Sequence, residues 1–164
     1  MSAVFAGLVW CIAKKTMIHH ALEDVQKDYR SLEMLCAIER LWQLYRNRGK
    51  KKLAEKYEEI RNEEEEWVSS LDKQKRVEAE QNTLHYQRRL VSLFYQHVAA
   101  LYINKILPKG IVFKTWSETD LRIIPEIIVP IENKLREVLH TPPLPPLDEN
   151  NYSPLILYRD SKKS

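Results

Sequence analysis

Neither glycine nor proline occurs between Leu8 and Arg48, and neither occurs between Lys50 and Leu107. Chains that turn tightly and often need these two residue types, so two such runs predict long helices and argue against a hairpin-rich β fold. Gly49 separates the runs and is the natural stop of the first. The second run is too long for one globular helix and must break. Ser69 and Ser70, then Asn82 and Thr83, are the residues best suited to end one helix and cap the next. The expectation is an all-α fold: an N-terminal hydrophobic helix with a stalk, a bundle of about four helices, and an extended Pro-rich tail. With 164 residues, 30% charged and 44% hydrophobic, the chain suits one core and is neither a polytopic membrane protein nor a disordered one.

Apolar spacing predicts which faces are buried. Leu32, Leu35, Glu39, Trp42 and Arg46 share one track, with Ile38, Leu41 and Tyr45 beside it. Leu53, Tyr57, Ile60, Trp67 and Leu71 follow, opposite a highly charged face. Leu84, Val91, Phe94, Tyr95, Val98, Leu101, Tyr102 and Ile106 mark the central core helix, which Pro108 and Gly110 should close. Trp116 should pack back on the core, and Ser117 followed by Asp120 has the capping-box spacing. Leu121, Ile124, Ile128, Ile131, Leu135 and Val138 supply the last buried face, kinked by Pro125 and Pro130.

The opening Met1 to Ala13 carries no charged side chain before Lys14 and Lys15. Val4, Phe5, Leu8, Val9, Trp10 and Ile12 would form a membrane anchor, with the two lysines at the headgroups. Thirteen helical residues reach only about 20 Å against a hydrocarbon core of about 30 Å. The positive-inside rule would place the remainder at an inner membrane facing the cytoplasm; a cytoplasmic location is the alternative, with this helix buried or at an oligomer interface. The expected divisions are 1–15 anchor, 16–31 stalk, 32–140 bundle and 141–164 tail. Five prolines from Pro142 to Pro154 favour an extended arm, lying over its own domain or docking on a protein partner.

Charge is nearly balanced, with 26 basic and 23 acidic residues, which gives no independent support for a nucleic-acid partner. The basic cluster Arg46, Arg48, Lys50, Lys51 and Lys52 and the acidic run Glu63, Glu64, Glu65 and Glu66 could pair neighbouring copies in a homo-oligomer. Cys11 and Cys36 cannot form a zinc site alone, and a lone Glu137/His140 pair falls short of a di-metal set, so no metal or cofactor is expected. No nucleophile elbow or nucleotide loop is present, and the expectation is that the chain is not an enzyme. Arg89 and His97 offer one alternative, RNA cleavage with a histidine moving a proton and an arginine holding phosphate.

The order of an N-terminal membrane segment, a charged stalk, LEMLCAIERLWQLYRN, RRLVSLFYQHVAALYINKILPKGIVFKTW and IIPEIIVPIENKLREV resembles an uncharacterised bacterial family of single-anchor, membrane-tethered helical proteins over about residues 3 to 140. Arg89, Phe94, Ile106, Gly110 and Trp116 are its more telling positions. Proteins of this layout include a pore-forming accessory of RNA-targeting CRISPR defence with a degenerate HEPN-like domain. The resemblance implies a self-associating tethered protein, an oligomeric or pore-type effector in antiviral defence, and no catalytic residues. HEPN nucleases separate arginine and histidine by four to six residues, whereas seven lie between Arg89 and His97 here. A soluble HEPN-like RNA binder and a structural subunit of a larger complex are the competing readings.

Overall fold

A computed structural model describes residues 3–140, 142 and 144–163, the side chains of residues 3–5 and 51 excepted. Every regular element among the described residues is helical. Helix α1 (Ala3–Tyr29) ends where Ser31 opens α2 (Leu32–Ser70), the Ser31 hydroxyl accepting the Met34 N–H at 3.2 Å. Gly49 lies inside α2 with φ 69° and ψ 164°, a backbone shape that suits glycine alone. It divides α2 into arms 32–48 and 50–70. Arg40 and Glu64, 24 residues apart, pair at 2.7 Å. A straight helix would hold them about 36 Å apart, so the chain folds back at Gly49.

Helix α3 (Lys73–Gln81) is short and almost wholly exposed, and leads to α4 (Leu84–Ile103). Thr83 caps α4 by accepting the Tyr86 N–H, while the Glu64 carboxylate accepts the Leu84 N–H at 2.7 Å. Both breaks in the second run thus fall at the expected serines and at Asn82 and Thr83. The end of α4 differs from expectation: Lys105, at φ 57°, takes the left-handed position, and the Ile106 N–H reaches back to the Leu101 carbonyl. Gly110 falls inside α5 (Lys109–Thr115).

The Ser117/Asp120 capping box forms and starts α6 (Glu118–Leu121). A π-helical turn, Ile124–Ile128, then leads into α7 (Val129–Leu139). Pro125 and Pro130 have no N–H to donate, and the ladder accommodates the loss by widening, so that the Val129 N–H bonds to the Ile124 carbonyl. The sequence beyond α7 crosses its own domain. Asn133 accepts the Leu147 N–H at 2.7 Å, Arg136 donates to the Pro145 carbonyl at 3.0 Å, and a final helix α8 (Pro154–Ser161) docks on α4, α6 and the π turn. The Tyr152 hydroxyl lies 2.9 Å from that of Ser92, and Leu157 is fully buried. Thr141 and Pro143 lie outside the described residues.

The core is one cluster around Trp116, whose ring meets Tyr29 at 6.0 Å and Phe94 at 6.1 Å edge-on. Leu121, Ile124, Ile128, Ile131 and Leu135 are buried as expected, whereas Val138 is exposed. On the first arm the buried face is Met34, Ala37, Leu41 and Leu44; Leu32 and Leu35 point outward. On the second arm Leu53 and Tyr57 are buried and Trp67 is exposed, its place taken by Val68. The segment read as a stalk lies against the bundle from Ile18 onward, through Ala21, Leu22, Val25 and Tyr29. That spacing is one helical face.

Candidate functional site

Two features stand apart from the packing of the core. The first is the start of α1. Every residue from Ala6 to Met17 is exposed, so this stretch projects past the bundle. Leu8, Val9, Trp10 and Ile12 are each more than half exposed, and at 100° per residue they are spread around the helix rather than along one stripe. Lys14 reaches back over the Trp10 ring at 5.1 Å, and Lys15 is exposed beside it. The side chains of Val4 and Phe5 lie outside the described residues. No helix among the described residues is long and apolar enough to cross a membrane. This corrects the transmembrane reading of α1: its uncharged stretch stops at the lysines, well short of a bilayer's thickness.

The second feature is a cleft of about 420 Å³ between the second arm of α2, α3 and the start of α4. Its inner wall belongs to a buried polar relay. Arg88, 5% exposed, pairs with Glu132 and donates from Nε to the Tyr57 hydroxyl oxygen at 3.1 Å. The Tyr57 hydroxyl is also 3.1 Å from His85 Nδ1. With Arg88 donating to the Tyr57 oxygen, the arrangement that also uses the Tyr57 proton has it donated to His85 Nδ1. The neutral ring then carries its hydrogen on Nε2, on the edge away from Tyr57. Burial and the charges of Arg88, Arg89 and Arg61 press the His85 pKa down to about 4, which keeps the ring neutral at physiological pH.

Arg61 adds a second donor. The residue is 8% exposed, and its Nε has no hydrogen-bond partner; Glu65 lies 3.7 Å away, beyond bonding distance. Arg89, one turn beyond His85, lines the cleft and is exposed, with no hydrogen bond or ion pair among the described residues. Of the other charges around the cleft, Glu80 is exposed and two are engaged. Arg40 holds Glu64, and Arg76 donates to the carbonyls of Ser69 and Leu71, where it closes the end of α2.

The sequence-predicted residues are distributed differently. Arg89 and His97 are eight positions apart on α4, about 12 Å along the axis, and His97 is exposed and does not line the cleft. The structure does not bring these two together at the cleft; His85 is the histidine one turn from Arg89. From the opposed charge runs, Arg46 pairs with Glu39 at 2.6 Å and Glu64 with Arg40 at 2.7 Å, so neither of these two pairs joins one run to the other. Arg48, Lys50, Lys52, Glu63 and Glu66 are exposed, and the Lys51 side chain lies outside the described residues. His19 and His20 both face Glu23. No group of three or more His, Cys, Asp or Glu side chains that could hold a metal occurs among the described residues.

Arg61 and His85 are absent from the sequence-based site. A basic residue at a core register position, four after Tyr57, was the available signal for Arg61, and the His85, Arg88, Arg89 spacing on one helical face was the signal for His85. Compared with protein-family models, curated proteins and solved structures, the chain matches none.

Proposed function

We propose that this chain is a membrane-tethered helical interaction protein, held at a lipid surface by the projecting start of α1. The observation that carries the reading is the all-round exposure of Leu8, Val9, Trp10 and Ile12 beyond the last contact with the bundle. A helix that docks on one protein face needs one apolar stripe, whereas one immersed in hydrocarbon is apolar on every side. Residues 3–13 span about 16 Å, close to the depth of one leaflet, half of a hydrocarbon core of about 30 Å. Lys14 and Lys15 then meet the headgroups, with Trp10 and its overlying Lys14 near the boundary that aromatic side chains favour. The bundle, with α4 at its centre, is left outside the bilayer to meet partners.

Flotation with vesicles containing anionic lipid tests this. The full chain should rise with the vesicles, and a variant with Leu8, Trp10 and Ile12 each replaced by asparagine should stay behind while keeping its helical circular dichroism. Failure of the full chain to float, or equal flotation of the variant, would overturn the reading. A stable oligomer formed through α1 in the absence of lipid, with no flotation, would instead make this segment a contact between copies.

A further inference from the structure

We propose that the cleft between the second arm of α2, α3 and the start of α4 binds a phosphate monoester, whose oxygens take hydrogen bonds from Arg61 Nε, His85 Nε2 and the Arg89 guanidinium. This site is independent of the tether and lies on the folded bundle.

Three observations converge on it. A guanidinium N–H that is buried without an acceptor is expensive, since it has lost water and gained nothing. Arg61 Nε is such a group, itself closed off from solvent, in a residue that lines the cleft beside Glu65. The second is the direction of the relay. Glu132 holds Arg88 and Arg88 donates to the Tyr57 oxygen; with the Tyr57 proton given to His85 Nδ1, in this proposal the ring carries its hydrogen on Nε2, the nitrogen away from Tyr57. A neutral histidine held as a donor among three arginines is built to meet an anion. The third is Arg89, whose guanidinium stands at the cleft with no protein partner among the described residues. Guanidinium groups match tetrahedral oxyanions through paired N–H bonds.

Size favours an ester over the bare ion. A volume of about 420 Å³ lies within the range of small-molecule sites. Val68 and the Tyr86 ring provide apolar wall beside the donors, which suits a compact organic group attached to the phosphate. Two carboxylates compete, exposed Glu80 on the cleft wall and, beside Arg61, Glu65. It is 61% exposed and 3.7 Å from Arg61 Nε, so it can swing to solvent as the phosphate enters.

The test is calorimetric titration of the full chain with phenyl phosphate at pH 8, where the ester is a dianion, against chloride of equal ionic strength. One saturable site is expected. Arg89→Ala, at an exposed position, should weaken binding about tenfold, the loss of one charge-assisted hydrogen bond. Glu65→Gln should have the opposite sign and tighten binding severalfold, because one competing carboxylate is gone. Histidine-selective NMR should show the His85 Nε2 proton shifting on titration. The absence of a saturable site, or an affinity that neither variant changes, would overturn the proposal.

Discussion

At the scale of single residues the most consequential group is Arg88, because its position beneath the cleft determines the state of everything above it. It is buried with Glu132 as counter-charge, and breaking a buried pair of this kind costs about 3–5 kcal/mol. Through Tyr57 it is also linked to the His85 ring. The depressed His85 pKa has a definite consequence for stability. The ring titrates at about 4 when folded, below its ordinary value of 6.5, so between these values the unfolded chain binds more protons than the folded one. The stability associated with His85 is complete above about pH 6.5 and is lost as pH falls toward 4. Chemical denaturation across that window should show the wild-type chain weakening more steeply than His85→Gln. Parallel curves for the two proteins would mean that His85 is not held neutral by its surroundings.

Among the elements, the glycines divide into opposite cases. Gly49 holds a positive φ that a side chain strains, and Gly→Ala there should cost about 1–3 kcal/mol although nothing lies within 4 Å of the added methyl. Gly110 sits inside α5 with equally open space, and Gly→Ala there should raise stability by up to about 1 kcal/mol. Thermal melts of the two variants should therefore move in opposite directions. These local features could be read from the sequence because each depends on a few neighbouring residues: the stop at Gly49, the cap at Thr83, the Ser117 box. The faces of the α2 arms were less legible. Leu32 and Leu35 are as apolar as Met34 and Ala37, and only the position of α4 decides which pair is covered. The cleft was harder still, since Arg61 and His85 belong to different helices and meet only after the chain breaks at Leu71 and again at Asn82 and Thr83, with α3 between.

Taken whole, the molecule is a bundle with one end carrying an uncovered apolar helix and one side closed by its own C-terminal sequence. The closing contacts are substantial: Tyr152 and Leu157 enter the core, and the Tyr102 hydroxyl donates to Asp160 at 3.0 Å. Ending the chain after Pro146 would uncover the face of α4 that carries Ser92 and Tyr102. Such a protein should melt well below the full chain and bind a hydrophobic dye; an unchanged melting temperature would show that the strap is dispensable. The expectation of an extended Pro-rich arm held for the crossing itself. It did not anticipate α8, because the apolar run of Leu155, Ile156 and Leu157 is too short to reveal helical periodicity by itself.

The same closure sets an order of events during synthesis. Translation delivers the N-terminus first, so the apolar start of α1 is available to a membrane while the bundle is still being made. Tyr152 and Leu157 are among the last core side chains to leave the ribosome, and the slot they fill on α4 stays open until then. Until α8 emerges, a nascent chain of this protein cannot close the slot on α4, and α8 acts as the latch that completes the core.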